Sequence, residues 1–262
     1  GTETGMGRFT EWSVVPTDNM ELSNIASRSQ NNMIFKPKSD LMGEVLGSRE
    51  QIYKAQSLVW YPAETDVSIR PGWFYHPSED TLVKSGTQLM EIYFTSVGMN
   101  SVLLLNIPPN KEGRISDADV YSLQQFAQLK EKLFSLKFHN SLLNITSENG
   151  INTKAMVDDQ YNTYFTTNKG DTATTIVFNI KKTSSYNVLL LQENIMVGQR
   201  IEKFELEVFD PQKGWLIATQ GTTVGYKRLL KFPTVTGSTF RLRILNSRLE
   251  PTISEFGLYY MD

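Results

Sequence analysis

An α/β portion over residues 1–140 followed by an all-β portion over residues 141–262 is the fold class this chain predicts, and three observations carry it. First, an apolar run at 57–60, a helical-period run at 87–97 and a continuous apolar run at 102–107 come in the order strand, helix, strand. Second, a capped helical pattern begins at Ser116. Third, beyond residue 140 short alternating runs separated by Gly, Pro, Asn and Asp replace the helical period, as in a β-sandwich.

Taken in order, the run 102–107 (Val-Leu-Leu-Leu-Asn-Ile) lacks polar alternation, which predicts a strand buried on both faces; it and 57–60 are expected to be parallel strands. The helix at 87–97 should stop at Gly98. Ser116 offers a capping hydroxyl and Asp117 and Asp119 complement the dipole of the next helix, whose apolar side carries Val120, Leu123, Phe126 and Leu133. In the second half, strands are predicted at 174–180, 187–192, 204–208 and 240–244.

Composition removes several functions. Net charge is −2 with basic residues scattered, so there is no electrostatic footprint for nucleic acid or an anionic membrane surface. Cysteine is absent, which excludes disulfides, thiolate metal sites and a cysteine nucleophile. No apolar run reaches the roughly 18 residues of a membrane-spanning helix. The opening, Gly1 to Gly7, reads as a loop entered midway, so an N-terminal part of the same protein is expected elsewhere and no signal peptide is seen.

Site chemistry concentrates in residues 60–76. Glu64 and Asp66, Arg70, His76 and the rings of Trp60, Tyr61, Trp73, Phe74 and Tyr75 lie together there. Aromatic faces cover the apolar side of a pyranose, carboxylates and guanidinium take hydroxyls, and a carboxyl group can exchange protons with a glycosidic oxygen. Trp73 is favoured as the stacking ring, with Trp60 and Trp12 expected in the core. Asp66, Arg70 and His76 are the other candidate substrate contacts. Each has a structural alternative: Glu64 and Asp66 holding Arg70, an Arg70–Asp66 salt bridge, and a satisfied structural histidine.

Three ordered motifs carry a more specific resemblance: Glu11-Trp-Ser13 after the glycine-rich opening, the stretch from Pro62 to His76, and Ser96-Val-Gly-Met-Asn100 continuing to Pro109. The chain resembles the α-L-fucosidases of glycoside hydrolase family 29, in particular the branch that favours α-1,3 and α-1,4 linkages. That resemblance implies that residues 1–140 are the C-terminal part of a (β/α)8-like catalytic barrel, with 102–107 as its last strand. It also implies a retaining double displacement with two carboxyl groups roughly 5–5.5 Å apart. The family's nucleophilic aspartate lies in a Trp-Phe-Asp-Gly-like context, which this sequence lacks, so the nucleophile is expected upstream. The acid/base glutamate of a Gly-Asn-Glu-like segment matches Gly1-Thr2-Glu3, making Glu3 first choice and Glu64 second.

Residues 141–262 resemble, more loosely, the discoidin-like (factor 5/8 type C) jelly-roll sandwich, through Asp158 to Phe165, Gln192 to Ile201 and Gly221 to Arg228. What the resemblance implies is a secreted or periplasmic enzyme removing terminal fucose from fucosylated oligosaccharides or glycoconjugates. No cofactor and no catalytic metal is expected; a structural calcium ion at Asp158 and Asp159 is the weaker alternative to a surface turn, because calcium takes about six to eight oxygens. The competing function class is a non-catalytic carbohydrate-binding protein.

Overall fold

The computed structural model describes residues 7–8, 12–17, 47–55 and 57–262. The chain is mostly β with a few helices. Its first part contains β1 (Val14–Pro16), α1 (Arg49–Lys54), β2 (Leu58–Trp60), β3 (Glu64–Ser68), a 3-10 turn (Pro77–Leu82), α2 (Gly86–Thr95), β4 (Val102–Asn106) and α3 (Asp117–Ser135).

Strands β3 and β4 are parallel, with Glu64 opposite Val102 and Ser68 opposite Asn106, and α2 lies on the crossover between them. The partner of β4 is therefore not the run at 57–60. That run is β2, which pairs antiparallel with β1 in register Val14 to Trp60. The polar alternation of Glu64-Thr-Asp-Val-Ser68 disguised the true strand as a loop. Trp60, expected in the core, is 51% exposed on β2, whereas Trp12 is buried as expected.

Local signals explain the helices. Ser85 and Gln88 form a reciprocal capping box at the start of α2. The helix ends at Thr95, and the backbone of Gly98 then accepts a hydrogen bond from Leu229 N–H at 2.8 Å, where a Cβ would collide with Phe94 O. The Ser116 hydroxyl accepts from Asp119 N–H at the head of α3, the cap the sequence predicts.

One expectation for β4 fails. Val102 and Leu104 are 54% and 50% exposed, on the face that also carries Glu64 and Asp66, while Thr65 and Val67 on the opposite face of β3 are buried. An unbroken apolar run reads alike whether one face or both are covered, so the sequence could not separate the two.

The second part holds β5 (Leu142–Ser147), β6 (Gly150–Ile151), β7 (Phe165–Thr167), β8 (Thr174–Gln192), β9 (Ile201–Asp210), β10 (Gly214–Gly221), β11 (Arg228–Ser247), β12 (Thr252–Ile253) and β13 (Glu255–Tyr259). An antiparallel sheet runs β10-β9-β11-β8-β13, with β5 also on β8, and a smaller sheet runs β12-β7-β6. The runs predicted at 174–180 and 187–192 are one strand, β8. The largely exposed residues 181–185 interrupt the apolar pattern but not the backbone, and the pairing with β11 shifts register there.

Both sheets bury residues in one core. Phe178 and Phe256 stack with centroids 3.9 Å apart and planes 8° off parallel, and Phe138, Tyr186 and Phe240 pack edge-on around them. Phe165 of β7 and Ile253 of β12 close the other side. On the outer face of β9, Glu205 and Glu207 pair with Arg243 and Arg241 across the ladder, so alternation buries Phe204, Leu206 and Val208.

A second apolar cluster joins the two parts: Met90, Phe94 and Leu133 from the helices meet Val188, Leu190, Leu229 and Tyr259 of the sheet. Asn100, in a left-handed conformation at φ 60°, accepts from Tyr226 N–H at 2.7 Å and donates its own N–H to Lys227 O at 3.0 Å. Close by, the fully buried Glu193 carboxylate accepts from the N–H groups of Arg200, Ile201 and Gly225 at 2.7–2.8 Å. Burial pushes its pKa up to about 7 against the pull of those three donors.

Candidate active site

All the candidates from Arg70 onward follow the C-terminal end of β3, the end at which sites form beside parallel strands. Glu64 occupies the opposite end of that strand, about 13 Å from Ser68 at roughly 3.3 Å per residue. Asp66 stands between them, half-buried, on the face shared with Glu64 and Leu104. Glu3 lies outside the described residues.

Arg70 organises the loop that follows β3. Its side chain is wholly buried: Nε lies 3.1 Å and 3.2 Å from the two Asp119 oxygens, Nη2 donates to Asp80 and to Ser116 Oγ at 2.7 Å each, and Nη1 donates to the backbone oxygen of His76 at 3.3 Å. The guanidinium also sits 4.7 Å over the ring of Tyr75. Burial opposes its charge, yet the bonds to Asp80 and Asp119 carry its pKa above the ordinary value. The salt-bridge alternative is thus met by Asp119 and Asp80, not by Asp66, and the donors considered for sugar hydroxyls are engaged with protein groups.

The rest of the loop hangs on β-strand ends. Ser68 Oγ donates to Gly72 O at 2.7 Å, and the Asn106 amide donates to Ser68 Oγ at 3.1 Å and to Trp73 O at 3.0 Å. Lys84 Nζ, its pKa lowered by burial, donates to the backbone oxygens of Ser68 at 2.7 Å and Arg70 at 3.4 Å. These bonds fix the backbone of Trp73 from behind and leave its indole 42% exposed. His76 caps the following 3-10 turn through its backbone, with an exposed side chain.

Sequence reasoning missed Asp119, Asp80, Ser68, Asn106 and Lys84. Asp119 looked like a first-turn acid, and Asn106 like part of the predicted strand at 102–107; only the fold brings residues 33 to 49 positions distant onto one loop. Asp158 and Asp159 are spent locally: Asp158 accepts from Gln160 N–H and Thr163 Oγ1, and Asp159 from Lys137 Nζ. Among the described residues no group of three or more His, Cys, Asp or Glu side chains is placed to hold a metal ion.

Residues 10–132 match the family model for α-L-fucosidase. The chain is 34% identical over 267 residues to α-L-fucosidase 1 of Arabidopsis thaliana, covering 99% of this chain and 48% of that protein. A solved structure from Bacteroides thetaiotaomicron, provisionally described as an α-L-fucosidase, superposes with a TM-score of 0.81 at 32% identity over 100% of this chain and 54% of its own. A mutant Ruminococcus gnavus fucosidase of family 29, solved in complex with fucose, gives 0.82 at 25% identity over 100% of this chain and 50% of its own. The chain spans about half the length of the curated relatives it matches. Family model, curated relatives and solved structures thus support one family for this chain, the α-L-fucosidases of glycoside hydrolase family 29.

Proposed function

We propose that the chain is the C-terminal part of a retaining exo-α-L-fucosidase that releases terminal α-1,3- or α-1,4-linked fucose from fucosylated oligosaccharides or glycoconjugates, in a secreted or periplasmic setting. On this reading residues 1–140 end a (β/α)8-like barrel and residues 141–262 form a discoidin-like sandwich. The observation that carries it is the Trp73 loop, tied by Arg70 and Asn106 to the C-terminal end of a parallel strand pair with its ring facing outward. The apolar patch at C5 and C6 of fucose suits such a ring, while hydroxyls suit neighbouring polar groups.

Glu3 serves as general acid and then general base, and an aspartate outside this sequence serves as nucleophile. Glu64 remains second to Glu3 because it starts β3 at the end away from the Trp73 loop. Arg70 acts on the substrate through His76, whose backbone oxygen it holds, while Asn106 holds that of Trp73. The family needs no cofactor. Proton NMR of the full-length protein cleaving an aryl α-L-fucoside tests the mechanism: α-fucose as first product is expected, and β-fucose as first product overturns retention.

A further inference from the structure

A cavity of about 390 Å³ opens along the seam between the helices and the large sheet, within the size range of small-ligand pockets, roughly 300–1,000 Å³. Helix α3 contributes Lys130, the turn before β11 contributes Tyr226 and Lys227, β8 contributes Gln192, and β13 contributes Glu255. It is separate from the Trp73 loop: Lys227 meets Asn100, which precedes the start of β4, whereas Trp73 is bound to Asn106 at its end.

Some of the charged groups of this cavity have no ionic partner among the described residues, Lys130 meeting only the ring of Phe126 at 5.9 Å. Lys137 is held by Asp159 at 2.8 Å, but among the described residues neither Lys130 nor Lys227 forms an ion pair, and the Glu255 carboxyl accepts no hydrogen bond. Tyr161 and Tyr226 make an aromatic wall with ring centroids 5.2 Å apart. The amide nitrogen of Gln192, which lines the cavity, donates to Tyr226 O, and among the described residues its side-chain oxygen accepts no hydrogen bond. The half-buried Lys227 and the exposed Lys130 line the same cavity and repel each other: burial first, and Lys130 second, lower the Lys227 pKa, against the smaller opposite pull of Glu255.

We propose that this seam cavity binds a sugar ring bearing one anionic group, a carboxylate or a sulfate. The anion lies between Lys130 and Lys227 in charge-assisted hydrogen bonds, the ring stacks on Tyr226, and Glu255 and Gln192 take hydroxyls. A bare anion would leave the tyrosine wall and Glu255 unused, and a neutral sugar would leave the lysine pair uncompensated. The site does not depend on the fucosidase reading, since none of its residues belongs to the Trp73 loop.

Calorimetric titration of the chain with glucuronic acid, galactose 6-sulfate, galactose and inorganic sulfate tests this. Binding of at least one charged sugar is expected, with galactose and inorganic sulfate each about tenfold weaker or more; the charged sugar that binds names the anionic group. Lys130→Gln and Lys227→Gln should each weaken that binding about tenfold with unchanged melting, Lys130 being an exposed residue whose loss leaves the fold intact. Absence of heat from both charged sugars, equal binding of galactose or of inorganic sulfate, or full affinity in Lys130→Gln overturns the proposal.

Discussion

Arg70 and Asp119 meet 3.1 Å apart with both side chains wholly buried, one on the loop after β3 and the other in the first turn of α3. Neither is in reach of water, so the pair and its partners Asp80 and Ser116 set the loop's shape as a unit. Asp119→Ala leaves a buried guanidinium short of its main counter-charge. A loss of about 3–5 kcal/mol in denaturant unfolding is expected. A loss below about 1 kcal/mol would show that water or Asp80 suffices.

Trp73 has the opposite character, an anchored backbone and a ring left half in solvent. In the full-length enzyme, Trp73→Ala should reduce kcat/KM on fucosides about 10- to 100-fold, the worth of roughly 1.5–3 kcal/mol of aromatic contact. The thermal midpoint should stay near that of the parent, because the ring contributes little to the core. Unchanged kinetics would remove Trp73 from the pocket.

Legibility in the sequence followed local chemistry. The cap at Ser116 and the alternation of β9 could be read directly, because each is decided within a few residues. Strand β3 was hidden by its own carboxylates, and the continuity of β8 by the polar residues in its middle. At the site, residue types pointed to sugar chemistry, yet the division of labour did not show: Arg70 looked like a hydroxyl donor because its fully buried counter-charge, Asp119, is 49 residues away.

Glu193 tests how the seam-side turns are held. In Glu193→Gln one oxygen still accepts from Arg200 and Ile201, but the amide nitrogen faces the N–H of Gly225, donor against donor. The expected cost is about 1–3 kcal/mol by denaturant titration, with hydrogen exchange of the Gly225 amide sharply increased. Undiminished protection of that amide would contradict the bonding described.

Stability should fall as pH rises through the neutral range. Burial foremost, then Asp159, raises Glu255 from 4.5 to about 8. A carboxyl group with a raised folded-state pKa binds its proton more tightly when folded, so its contribution is complete below about pH 4.5 and is lost as pH climbs to about 8. Glu193 acts in the same sense up to about 7. Melting temperature should therefore decline between about pH 5 and 8, and decline less in Glu255→Gln. A slope identical to that of the parent would assign the titration to other groups.

The assignment of Glu3 as the acid/base group is tested most directly by azide rescue in the full-length protein. Glu3→Ala should slow fucosides with poor leaving groups severely, and on an activated aryl fucoside, whose leaving group departs without acid help, azide should restore turnover, releasing a fucosyl azide of the substrate's own anomeric configuration because two inversions precede it. Rescue of Glu64→Ala by azide, with Glu3→Ala as active as the parent, would contradict the assignment and move the proton transfer to β3.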